Sequence, residues 1–115
     1  MIKYHLSIVD VVFPRKPEIL QKYEDDIKNN ICSHNLNKIK KELEYFDYVI
    51  TINQYPYNFT SNLKHYIFWF NNICSMNNAL SICKKELGDN IIIFCNTFNL
   101  KSVKDINHYH IILQN

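Results

Sequence analysis

With 115 residues, 47% of them apolar and 21% charged, the chain is long enough for one hydrophobic core and too apolar to be a disordered tail. Its formal net charge of +2 and its scattered lysines exclude a dedicated nucleic-acid-coating surface, and no apolar run is long enough to span a bilayer. The opening stretch is broken by His5, Asp10 and Arg15, which reads against a secretory signal peptide.

An intracellular, cytoplasmic protein is therefore expected. The strong bias toward Asn, Ile, Lys and Tyr fits an AT-rich genome, and for a viral chain the compartment is the host cytoplasm. None of the four cysteines (Cys32, Cys74, Cys83, Cys95) falls in a C-x-x-C pair, so reduced thiols are expected.

In chain order, residues 2–13 are apolar and fit either a strand or a short helix. Pro17 suits the first turn of a helix running to about Asn29, with Ile19, Leu20, Tyr23 and Ile27 on one stripe. Ser33 is placed to cap a second helix, in which Leu36, Ile39 and Leu43 recur at i, i+3 and i+7. "YVITIN" at 48–53 reads as a strand bounded by the turn-rich "QYPYNFTSN", and "HYIFWF" at 65–70 as its neighbour. A helix over about 75–87 has Leu80, Cys83 and Leu87 on its apolar side, and Gly88 stands where a left-handed C-terminal residue is needed. "IIIFC" at 91–95 and "HYHIIL" at 108–113 complete the strands. The predicted fold is α+β: a single domain over 1–115 with an antiparallel sheet of about four strands, helices on one face, and the order α-α-β-β-α-β-β.

Several spaced fragments resemble an uncharacterised domain family of bacteria and fungi that includes the fungal N-acetylglucosamine-induced protein. They are "RKPEILQKY", with Arg15, Pro17, Glu18 and Tyr23; "DYVI"; "NQYPY"; "HYIFWF"; Leu87-Gly88; and Asn96, Ser102-Val103 and "HYH". The family itself implies no reaction.

A second resemblance carries more mechanism. An Asn closing one strand, a loop with Ser, then an H-φ-H strand is similar to the closing half of histidine-triad nucleotide hydrolases and transferases. In those enzymes the terminal strand carries three alternating histidines, and a His attacks a nucleotide phosphate. Only i, i+2 spacing on a strand holds imidazoles side by side on one face, here His108 and His110. The third triad position falls on Ile112 or, in the other register, on Ile106. His65, opening its strand beside the Pro-Tyr turn, is the candidate third imidazole.

The candidate catalytic residues are thus His108, His110 and His65, with His110 as nucleophile or base, His108 as its partner and His65 contacting phosphate. Asn53, Tyr57, Asn96 and Ser102 are candidate ligand-binding residues for sugar or phosphate oxygens. His5 and His34 read as surface residues. The expected partner is a small molecule, a nucleotide or sugar, with no nucleic acid and no membrane; no cofactor or resident metal is expected. The alternative chemistry is an H-x-H metal site completed by His65. Three functions stay open: a histidine-based phosphoesterase or nucleotidyl-transfer enzyme, a non-catalytic nucleotide or aminosugar binding module, and a structural or host-interaction protein with core histidines. The single Gly excludes a phosphate-cradling glycine loop.

Overall fold

The computed structural model describes residues 6–9, 15–55, 63–72, 74–96 and 106–114. Its elements are β1 (Leu6–Val9), α1 (Pro17–Lys28), α2 (Ile31–Glu42), β2 (Tyr48–Ile52), β3 (Leu63–Phe70), α3 (Met76–Leu87), β4 (Ile91–Asn96) and β5 (Asn107–Gln114). The fold is α+β, with β2 to β5 antiparallel and in the predicted order. The ambiguous opening segment contributes a strand, β1, which pairs parallel with β4 and extends the sheet to β1-β4-β5-β3-β2.

Every residue of "HYIFWF" is large and apolar or aromatic, so both faces of β3 need cover, and both receive it. On one face Phe68, Phe70, Ile91, Ile93 and Ile111 pack against Ala79, Leu80 and Cys83 of α3. On the other, Trp69, Val49 and Ile67 meet Leu36 and Ile39 of α2, together with Leu43 and Ile106. The helices therefore lie on both faces, rather than on one as the chain order suggested.

Local signals set the helix ends. Ser75 Oγ accepts the Asn78 N–H at 3.1 Å and caps α3, while Gly88, at φ 101°, ends it in a conformation that a side chain resists. The second helix begins earlier than expected, at Ile31, so Ser33 lies in its first turn rather than at its cap. Asn30 takes φ 63°, a left-handed value that Asn tolerates, and this lets two residues reverse the chain between α1 and α2. The apolar stripe of α1 does not reach the core. α1 packs on α2, and Leu20 and Ile27 remain 41% and 49% exposed.

Candidate functional site

Alternation along β5 separates two environments. Tyr109, Ile111 and Leu113 join the α3 face. His108 and His110 turn the other way, onto the face roofed by the α1–α2 hairpin, and both are only 6% exposed. The predicted placement of the two imidazoles on one strand face, opposite Tyr109 and Ile111, is what the structure shows.

His65 joins them from β3. The register places it directly across from Ile112, the position where a third strand histidine is missing. From there its Nε2 lies 2.8 Å from Nδ1 of His110, a hydrogen bond between two buried rings. His110 also stacks on Phe94, with centroids 5.0 Å apart and planes 13° apart, and stands edge-on to His108 at 5.4 Å. Two partners fix His108: its ring lies 5.1 Å from that of Trp69, and its Nδ1 lies 2.9 Å from the carbonyl of Ile106. A carbonyl only accepts, so Nδ1 of His108 carries a proton, and in the neutral ring Nε2 carries the lone pair.

Asn53 follows β2 directly. Its N–H donates to the carbonyl of His65 at 2.8 Å, which continues the strand ladder by one residue. Its side-chain Oδ1 accepts the backbone N–H of Tyr55 at 2.8 Å, and its Nδ2 lies 3.2 Å from Nδ1 of His65 and 3.4 Å from Nε2. Burial, and secondarily the charge of Arg15, push the His65 pKa down to about 4, so this ring is neutral at pH 7.

Between this strand face and the α1–α2 hairpin lies a cavity of about 470 Å³, lined by His108, His110, Trp69, Thr51, Asn53 and Tyr55 on the sheet side. That volume suits a small-molecule ligand. The roof supplies Tyr23, Cys32, Asn35, Lys38 and Glu42, and Arg15 sits at its edge. Tyr55 ties roof to floor. Its hydroxyl donates to Asp26 at 2.7 Å and accepts from Cys32 at 3.4 Å, its carbonyl takes the Arg15 Nε–H at 2.9 Å, and its ring lies 4.9 Å from that of Tyr23. Burial and the bonds to Cys32 and Asp26 push the Tyr55 pKa up, so its phenol stays protonated. Arg15 also stands 4.7 Å over the Tyr23 ring.

Of the residues singled out in the sequence, His108, His110 and Asn53 line the cavity. His65 stands behind His110, outside the lining, and is not placed to touch a ligand there directly. Asn96 ends β4 opposite Val9, and its side chain lies outside the described residues, as do Tyr57, Ser102 and His5. His34 is exposed. His65 and His110 bond to each other instead of converging on a point. Among the described residues no group of three or more His, Cys, Asp or Glu side chains is arranged to hold a metal ion.

The sequence reading did not assign site roles to Arg15, Thr51, Lys38 or Glu42. Asn35, Lys38 and Glu42 do carry a signal: they recur at i, i+3 and i+7, a polar stripe beside the apolar stripe of α2. The fragments that carried the family resemblance meet here as well. Arg15 and Tyr23, Asn53 and Tyr55, Trp69, and His108 and His110 come from four separate segments and line one cavity.

No family model and no curated protein matches the chain. A solved crystal structure of HTC1 is similar to it, with a TM-score of 0.65 and 19% sequence identity, covering 90% of this chain and 76% of that one. At that identity the likeness extends to the fold alone. Among the described residues no helix is long and apolar enough to cross a membrane.

Proposed function

We propose that the chain is a histidine-based phosphoesterase or nucleotidyl-transfer enzyme that takes a nucleotide or nucleotide sugar into the cavity between the α1–α2 hairpin and the histidine face of the sheet. One observation carries the reading: two buried imidazoles side by side on the floor of an open cavity, one of them pinned by a carbonyl so that its Nε2 bears the lone pair. A buried polar pair of this kind is costly to keep in a core without a use for it. On this reading the carbonyl contact favours His108 as the base and His110 as its partner, the reverse of the roles expected from the sequence.

In this mechanism His108 Nε2 takes a proton from a water or an acceptor hydroxyl. The oxygen so released forms a bond to phosphorus, the ester P–O bond breaks, and the leaving oxygen takes the proton back from His108. Among the described residues, Arg15 and Lys38 against the lining carboxylate of Glu42 bias the cavity toward an anion. Trp69, Tyr23 and Tyr55 offer rings for a base or sugar. The resemblance to the N-acetylglucosamine-induced family makes aminosugar nucleotides part of the substrate panel.

The test is product formation, followed by phosphorus NMR, from a panel of mononucleotides, dinucleotides and nucleotide sugars. Turnover by wild type that is lost in His108→Ala supports the proposal. Saturable binding with no turnover of any member replaces it with a binding module. If nothing binds and no member turns over, the histidines serve the fold.

A further inference from the structure

We infer that Arg15 is the phosphate-binding residue of the cavity, and that Lys38 and Glu42 form the opposite subsite, for the uncharged, hydroxyl-bearing part of the ligand. This rests on the ligand class of the proposed function and adds the direction in which such a ligand lies.

Strand register lays out the cavity face of the sheet as a grid. Thr51, Ile67 and His110 stand in one row across β2, β3 and β5, and Val49, Trp69 and His108 in the next. Asn53 and His65 lie beyond the first row, on the side away from Trp69. Arg15 belongs to that side. Its Nε–H donates to the Tyr55 carbonyl at 2.9 Å, and the Tyr55 N–H donates to Oδ1 of Asn53 at 2.8 Å. Asn53 Nδ2 in turn lies 3.2 Å from the His65 ring, which bonds to His110. Burial first and the charge of Arg15 second lower the His65 pKa to about 4, as a cation near that ring must.

The direction of α2 fixes the other end. The helix starts beside Tyr55 and Gln54, where Cys32 Sγ meets the Tyr55 hydroxyl at 3.4 Å and Asn35 meets Gln54 at 3.3 Å. It closes over Trp69, Val49 and Ile67 through Leu36, Ile39 and Leu43. Lys38 and Glu42 lie in that closing half, and both line the cavity. At i, i+4 spacing their charges are neighbours on one helix face, so a phosphate placed there would meet a carboxylate. Among the described residues no carboxylate lines the Arg15 end. A guanidinium presents N–H groups in a plane that matches phosphate oxygens, whereas an ammonium beside a carboxylate suits hydroxyls, which both donate and accept. With its phosphate between Arg15 and His110, the ligand extends past His108 toward Trp69 and Glu42.

The chain has one arginine and one tryptophan, so their side-chain N–H groups give two distinct signals in a proton–nitrogen correlation spectrum of the uniformly nitrogen-15-labelled full chain. They mark the two ends of the cavity. Inorganic pyrophosphate is the probe, in slightly acidic buffer where guanidinium protons exchange slowly with water. In wild type the Arg15 Nε–H signal is expected to shift saturably, and the Trp69 indole signal, from the group that donates to Thr51, to shift less. By calorimetry, pyrophosphate affinity is expected to fall about tenfold or more in Arg15→Gln, the scale of one hydrogen bond to a charged group, and to fall less in Lys38→Gln. An Arg15 signal that does not move, a larger shift at Trp69, or an equal or greater loss in Lys38→Gln overturns the inference. The wild-type spectrum decides the matter even where Arg15→Gln does not fold. If pyrophosphate binds at Arg15 and no nucleotide is turned over, the proposed function fails and the inference stands; turnover without a response at Arg15 has the opposite meaning.

Discussion

Phe68 and Trp69 are neighbours on β3, yet they belong to different halves of the molecule. Phe68 points to the α3 face, where α3 buries Ala79, Leu80 and Cys83 and where Phe68, Ile91, Ile93 and Ile111 have no exposed surface. Trp69 points to the other face, where α1 and α2 bury none of their own residues and a cavity separates roof from strands. Strand alternation alone decides which residue serves which half. The α3 face is a dry core in which the gain from burial is taken in full. The opposite face keeps three buried imidazoles and an open volume where apolar packing would stabilise the fold more.

Equivalent truncations on the two faces test this contrast most severely. Ile111→Ala removes a fully buried side chain from the α3 core and is expected in the upper part of the roughly 2–5 kcal/mol range for such changes. Ile67→Ala, on the strand face that lines the cavity, enlarges a space that already exists and is expected to cost no more than about 2 kcal/mol. Urea unfolding of the two variants measures the difference, and equal losses would erase the distinction between the faces.

Acid sharpens it next. The folded-state pKa of His65, about 4, lies below its ordinary 6.5, so between these values the unfolded chain binds a proton that the folded chain refuses. The His65 share of stability is therefore level above about pH 6.5 and is lost as pH falls toward 4, about 3 kcal/mol over the whole window. Unfolding free energies of wild type and His65→Gln between pH 7 and 4.5 should show a shallower decline in the variant. Parallel declines would mean that His65 takes up its proton equally in both states.

Chemistry should separate the faces as well. His108→Ala is expected to lower turnover by about a hundredfold or more, ~2.7 kcal/mol in the barrier, and His110→Ala to act similarly because paired groups are not additive. His34→Ala, on the exposed side of α2, should change nothing. Turnover that survives His108→Ala would remove the histidine pair from the mechanism. The smallest expected effect belongs to Thr51→Ala, which takes away the hydroxyl that accepts the Trp69 indole N–H at 2.9 Å and should cost about 1 kcal/mol. Thermal unfolding with no change would show that the indole finds another acceptor.

Much of this arrangement was legible in the sequence because it depends on period alone. H-x-H on a strand puts His108 and His110 on one face whatever else the fold does, and the apolar runs at 48–52, 65–70, 91–95 and 108–113 mark their strands. Residues 2–13 carry no such period, and only the parallel pairing with β4 marks Leu6–Val9 as a strand. The early start of α2 was hidden because Asn30 makes the turn by a left-handed backbone angle, whereas Ser33 offers the more familiar cap. The amphipathic stripe of α1 suggested a helix lying on the sheet, but a stripe does not say what it faces; here it faces α2, Tyr55 and the cavity edge. His65 could be placed near the pair, but its position behind His110 follows from the β3–β5 register, which no local pattern encodes.

On the proposed function the histidine face of the sheet is a ligand site. Trp69 is the single tryptophan of the chain, pairs on β3 directly with His108 of β5 and lines the cavity, so its fluorescence reports on that face alone. Titration with mononucleotides and nucleotide sugars, including an N-acetylglucosamine nucleotide, is predicted to give a saturable change in Trp69 emission with at least one of them, much weakened in His108→Ala. Emission that no ligand of the panel alters, together with a melting temperature that none of them raises, would contradict the account.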